Sequence, residues 1–134
     1  MRQNEKAVLH FGANGKVISE SIGFKTAYIS GKITGLPDLN VPKFEAAEKL
    51  LRSYGYKVIN PHTICNDIPK HAEWHEYMKR CVHHLPLADV VFLLPDWQDS
   101  TGARLESVIA HQLGMAVYEI ESFEFKSEEQ NSKL

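Results

Sequence analysis

At 134 residues the chain has room for one domain with a moderate core, and a hydrophobic share of 43% supports that core without disulfides. A formal charge of −2 argues against broad attraction to polymeric nucleic acid or an acidic membrane, while a small anion could still be held by local donors. No apolar run approaches the roughly 20 residues that span a bilayer. Met1–Lys6 carries no apolar signal core, and the two cysteines, Cys65 and Cys81, show no paired spacing; a cytoplasmic protein is expected.

Residues 7–19 set two short apolar runs around Gly-Ala-Asn-Gly, which predicts a β-hairpin serving as an edge ribbon. Thr26 to Ser30 is a short apolar strand that stops at Gly31, and the Gly, Pro, Asp and Asn of residues 31–40 make a loop. Pro42 fits a first helical turn. Phe44, Ala47, Leu51 and Tyr54 then recur at helical spacing, and Gly55 stops the helix. A second strand runs from Tyr56 to Ile59 and ends at Asn60-Pro61, after which residues 62–71 read as loop. Trp74, Tyr77, Met78, Cys81 and Leu85 mark the buried face of the next helix, which Pro86 ends. Ala88 to Leu94 is nearly all apolar, the signature of a central parallel strand covered on both faces. Pro95 to Thr101 is a loop. Leu105, Val108, Ile109 and Leu113 give a third helix stopped by Gly114, and Met115 to Ile120 is the last strand.

Alternating strands and helices with right-handed crossovers give an α/β domain, a mainly parallel sheet of four to five strands with helices on both faces. Thr26–Ser30 and Ala88–Leu94 should be its central strands, in strand order 2-1-3-4 or an extension of it. The organisation is an N-terminal extension over 1–25 with its hairpin, a domain over 26–121, and a polar tail over 122–134 whose end is expected to be disordered.

Two strand exits carry the residues with chemical potential. Ser30-Gly31-Lys32-Ile33-Thr34-Gly35 has glycines that allow a ligand to approach backbone N–H groups, and it is equally an ordinary strand-exit turn. Ser100-Thr101-Gly102 stands where the third helix begins; a serine there is an N-cap, and the same geometry binds phosphate. Glu106 lies one turn further on and should partly face the sheet, where an unpaired charge is costly; the competing assignment is a solvent-facing glutamate paired with Arg104. Trp97 is a lid over the core or a stacking surface for a base. His71 and His75 are four apart with His62 and Cys65 nearby, yet no third ligand follows at a metal-site interval, so no metal and no cofactor are expected.

As an ordered set these segments resemble the nucleoside 2-deoxyribosyltransferase-like superfamily, most of all its small uncharacterised bacterial and phage branch. The resemblance rests on Tyr28 to Asn40, Val58 to Pro61, Trp74 with Tyr77 and Met78, and Leu93 to Glu106, and it covers residues 26–120. It implies a flavodoxin-like or Rossmann-like three-layer sandwich. The similarity extends to deoxyribonucleoside 5′-monophosphate N-glycosidases, through a first strand ending in Gly-x-Ile and a later Ser-x-Gly-x-x-x-Glu. By that likeness Ser100 contacts the 5′-phosphate, Glu106 attacks the anomeric carbon, and the turn of Ser30, Gly31, Lys32 and Ile33 lines the same pocket; Gly102 and Trp97, by their places at the second strand exit, are expected as further binding residues. The implied partners are a small nucleotide or nucleoside and a second copy of the chain that completes the pocket, with no polymeric nucleic acid and no membrane. One position departs from the pattern. Where the superfamily carries an aspartate eight residues before the strand-start aspartate, here Asp89, this chain has Cys81. Asp96 and Asp99 at the strand exit are the carboxylates left to stand in for it, since Asp89 enters its strand at the far edge. If neither serves, the pocket binds a nucleotide without cleaving it; a structural or partner-binding α/β domain is the third reading.

Overall fold

Alternation along the two central strands sorts the core into two layers. The structure, a computed structural model, describes residues 5–7 and 25–121. Strand β2 (Thr26–Ser30) pairs in parallel with β3 (Lys57–Ile59) on one side and with β4 (Val90–Leu93) on the other. Beyond β4 lies β5 (Ala116–Ile120), and beyond β5 a short β1 (Glu5–Ala7), again all parallel, for a spatial order β1-β5-β4-β2-β3. Within the domain this is the expected 2-1-3-4 order, extended by β1. The sequence had assigned Glu5 and Lys6 to no strand. The hairpin expected over 7–19 and the disordered tail lie outside the described residues, Ala7 excepted.

Side chains with period two on β2 and β4 point to opposite faces. Ala27, Ile29, Val90, Phe92 and Leu94 join Phe44, Ala47, Leu50 and Leu51 of helix α1 (Val41–Ser53), and Tyr54 just past its end, in one core layer. Tyr28, Val91, Leu93 and Val117 face the other way, onto Cys81 and Leu85 and onto Ala110. Cys81 lies in helix α3 (Trp74–His84) and Ala110 in helix α4 (Thr101–Gln112). The result is the α/β/α sandwich expected, with α1 on one face and α3 and α4 on the other. Gly55, at φ 97, takes the left-handed turn that releases the chain from α1 into β3. No helix among the described residues is long and apolar enough to cross a membrane.

Two local expectations are corrected. Residues 62–71 are not all loop: Pro61–Ile64 forms a one-turn helix, α2, whose start is capped by the Asn60 side chain accepting from the His62 N–H at 2.9 Å. Helix α4 turns Glu106 toward the sheet, as expected. Leu105, Val108 and Leu113 are exposed, while Ala103, Glu106, Ser107 and Ala110 face inward. Small side chains let this helix lie close to the sheet, with Ile109 partly buried beside them and Glu106 its one buried charged residue. On α3, Trp74 is exposed rather than part of the buried face.

Candidate functional site

Ser30 lies two residues after Tyr28 on β2, so strand alternation aims both side chains at the same layer, toward α4. There they meet Glu106. The Tyr28 hydroxyl donates to Oε2 at 2.6 Å, and the Ser30 hydroxyl donates to Oε1 at 2.6 Å. Glu106 is only 4% exposed. Arg104 is turned away, donating to the Gln98 carbonyl and the Thr101 hydroxyl, which rules out the solvent-facing Arg104 pair. Burial pushes the Glu106 carboxyl up to about 7, and the hydrogen bonds from Ser30 and Tyr28 oppose that rise because they favour the ionised form. Burial, with the Glu106 charge next, holds the Tyr28 phenol well above its ordinary value, so Tyr28 stays a donor.

Above this cluster, at the carboxyl edge of the sheet, the two strand exits form a cleft of about 420 Å³ lined by Lys32, Thr34, Trp74, Asp99, Ser100, Thr101 and Gly102. Ser100 is the N-cap of α4, its oxygen accepting from the Ala103 N–H at 3.0 Å. Its hydroxyl hydrogen remains available, and the first-turn N–H groups of Thr101 and Gly102 have no intrahelical acceptor. The helix terminus and the Lys32 ammonium are the cleft's anion-binding groups, with the Asp99 carboxylate in the same wall. Glu106 does not line the cleft. It stands one helical turn deeper than Gly102, where a Cβ would meet the Met78 sulfur at 3.1 Å, with Trp74 next nearest.

The remaining predicted residues take other positions. Gly31 is buried against Leu94, whose side-chain carbons would lie 2.6–2.8 Å from a Cβ there, so only glycine fits. Ile33 packs on the α1-side core and Trp97 on the α4-side core; neither lines the cleft. Asp96 accepts from the Lys32 N–H at 3.1 Å and from Asn40 Nδ2 at 3.1 Å, while the same Asn40 amide donates to the Lys32 carbonyl at 2.7 Å. Asp96 and Asn40 therefore tie one strand exit to the other. Asn40 ends a run of three left-handed residues, Asp38, Leu39 and Asn40, at φ 54, 51 and 62. Such backbone costs about 1–2 kcal/mol per residue, and these side-chain bonds help to hold it. Asp89 stands at the opposite edge, accepting from the Thr26 N–H at 2.8 Å. The described residues contain no group of three or more His, Cys, Asp or Glu arranged to hold a metal ion.

Sequence reasoning missed Tyr28 and Asn40. A tyrosine inside an apolar strand reads as core, but its two-residue spacing from Ser30 was the signal that it shares the serine's direction. Reasoning from spacing also kept the cysteines apart. Cys65 and Cys81 come within 3.9 Å, sulfur to sulfur, because α2 folds back onto α3. A second, larger cleft of about 690 Å³ lies between residues 67–72 and α3. Its strongest charges, Asp67 and Arg80, pair with each other at 2.8 Å, and it holds none of the strand-exit groups.

Residues 25–119 match the model of the family described as Domain of unknown function (DUF4406), and the chain belongs to that family. Among solved structures the fold is similar to that of a 2-deoxyribosyltransferase from the psychrotolerant bacterium Bacillus psychrosaccharolyticus, with a TM-score of 0.54 and 21% identity over 69% of this chain and 70% of that one. That enzyme is described as a biocatalyst for the synthesis of nucleosides. No curated protein sequence matches the chain.

Proposed function

We propose that the protein binds a nucleoside 5′-monophosphate or nucleoside in the cleft at the head of α4 and cleaves or transfers its N-glycosidic bond, with Glu106 as the attacking carboxylate. The observation that carries this reading is a buried glutamate gripped by two hydroxyls one turn beneath a helix start that opens onto a cleft. Burying a carboxylate in a domain of this size is costly, and a purely structural role would be filled as well by an apolar residue. The fold shared with a 2-deoxyribosyltransferase supports a nucleoside-class ligand.

In this reading the cleft deepens by one helical turn as the ligand enters, so that a Glu106 oxygen reaches the anomeric carbon and bonds to it as the bond from that carbon to the base nitrogen breaks. The base leaves with the electron pair and takes up a proton. Water or a second base then attacks the same carbon and releases the carboxylate. Positive charge develops on the sugar in each step, and a fixed carboxylate in a dry site stabilises it more than water does. Tyr28 and Ser30 keep the carboxylate oriented and oppose its neutralisation. Ser100, the α4 N–H groups and Lys32 take the phosphate. Asp99, in the cleft wall, is the acid for the leaving base, while Asp96 shapes the turn.

A second reading, a nucleotide binder without turnover, is favoured by Cys81. The thiol at the position of the implied aspartate is held well above its ordinary pKa, first by the hydrogen bond to Cys65 and then by burial, so it does no acid–base work. A panel of nucleotides, monitored for free base by chromatography and for binding by thermal shift, separates the two. Ser100→Ala should weaken a 5′-monophosphate by tenfold or more, the equivalent of a charge-assisted hydrogen bond of about 1.5–3 kcal/mol, and the free nucleoside far less. Equal losses for both ligands would reject the phosphate assignment.

A further inference from the structure

The described cysteines stand as a pair beside the Glu106 cluster. Cys65 closes α2, its N–H bonded to the Pro61 carbonyl at 3.0 Å, and Cys81 sits mid-way along α3, 5% exposed. Their sulfurs are 3.9 Å apart. Arg80 clasps the two segments together, donating to the Ile64 carbonyl at 2.7 Å and to Asp67 at 2.8 Å, so residues 64–67 are held on the helix that carries Cys81. Cys81 packs in the same core layer as Tyr28, whose hydroxyl donates to Glu106.

We infer that Cys65 and Cys81 form a reversible disulfide, a redox modification site whose buried half acts on Tyr28 and Glu106. A disulfide needs sulfurs about 2.05 Å apart, a closure of about 1.8 Å from the observed separation. The half-buried Cys65, at the end of a one-turn helix, has more freedom to move than Cys81, which is locked in the core. The two thiols are also unequal. Cys65 is half-buried and within reach of a reagent, whereas Cys81 is 5% exposed; contact with Cys81 and the Arg80 charge also lower the Cys65 pKa. Cys65 is therefore the attacking thiol and Cys81 the resolving thiol.

The co-reactant is a low-molecular-weight disulfide. The Cys65 thiolate attacks one of its sulfurs and releases the other as a thiolate. The Cys81 sulfur then attacks Cys65 Sγ, loses its proton and expels the second small thiol. Two protein thiols are oxidised to one disulfide while the reagent is reduced to two thiols. Once oxidised, the Cys81 sulfur is drawn toward Cys65, which changes the packing of the core layer it shares with Tyr28. The pair thus goes beyond the proposed reaction and holds whether or not the site turns over.

The test uses the full chain with glutathione disulfide. The expected product has lost the mass of two hydrogens, yields a peptide cross-linked between Cys65 and Cys81, and returns to two free thiols on reduction. Cys81→Ser should instead accumulate a glutathione adduct on Cys65, and Cys65→Ser should remain unmodified. A stable adduct on Cys65 in the unaltered chain, a disulfide between two chains, or two thiols untouched at equilibrium would each overturn the pair. The coupling is read without any activity assay, by following the Glu106 carboxyl through its titration with carbon-13 NMR in both states. A midpoint displaced by oxidation supports the coupling; superimposable curves refute it.

Discussion

Replacing Glu106 with Gln should stabilise the protein at pH 8 relative to pH 5, which is opposite to the usual effect of removing a paired carboxylate. The folded chain holds the Glu106 carboxyl at about 7, against an ordinary value of 4.5, so the native state binds the proton more tightly than the unfolded state. Between those two values the native state carries more protons, and stability falls as the pH rises. The displacement amounts to about 3 kcal/mol at about 1.4 kcal/mol per pH unit. The group's favourable contribution is complete below pH 4.5 and lost by about pH 7. Glutamine mimics the protonated acid and does not titrate, so it removes this slope. Other groups that titrate in the window, such as His62 with its lowered pKa, are common to both proteins and cancel in the difference. Urea unfolding of both chains at intervals from pH 5 to 8.5 measures this. The stability difference, variant minus wild type, should grow by about 2.5 kcal/mol across the range, the part of the displacement that lies above about pH 5. A difference that stays flat or shrinks with rising pH would refute the raised carboxyl and the desolvation on which it rests.

Three further substitutions probe the same framework. Tyr28→Phe and Ser30→Ala each remove a donor to the ionised form, so both should move the Glu106 midpoint further up, seen by carbon-13 NMR, with a loss of about 1–3 kcal/mol at neutral pH. A midpoint moving down would show that these hydroxyls do not stabilise the carboxylate. Gly31→Ala drives a methyl to within 2.6–2.8 Å of three Leu94 side-chain carbons, Cβ among them, which cannot all swing aside; a loss of about 1–3 kcal/mol is expected in denaturant unfolding. Unchanged stability would mean that the strand exit is looser than described.

Much of the sheet was legible because its signals are local. Continuous apolar character marked β4 as central, and Gly55 and Gly114 ended their helices as expected. The small edge strand β1 was not legible, since Glu-Lys-Ala carries no alternation or apolar run, and its pairing is decided by backbone bonds to β5. Apolar spacing on α4 marked the helix but not which of its apolar residues are buried: close packing on the sheet selects Ala103, Ser107 and Ala110 by size, which leaves Leu105 and Val108 outside. At the candidate site, Glu106 and Ser30 were legible as residues but not as a bonded pair. Tyr28, Asn40 and the Cys65–Cys81 approach depend on contacts between elements far apart in sequence, which no spacing rule reports.

The most direct test of the proposed function is base release from nucleoside 5′-monophosphates by the wild type and by Glu106→Gln, assayed near pH 7.5, where the carboxylate is largely ionised. The amide keeps the shape of the acid but lacks the charge that stabilises the sugar cation and is a poor nucleophile, so release should fall by at least about 10²-fold while nucleotide affinity changes little. Wild-type turnover that survives the loss of Glu106 would contradict the account, whatever the substrate.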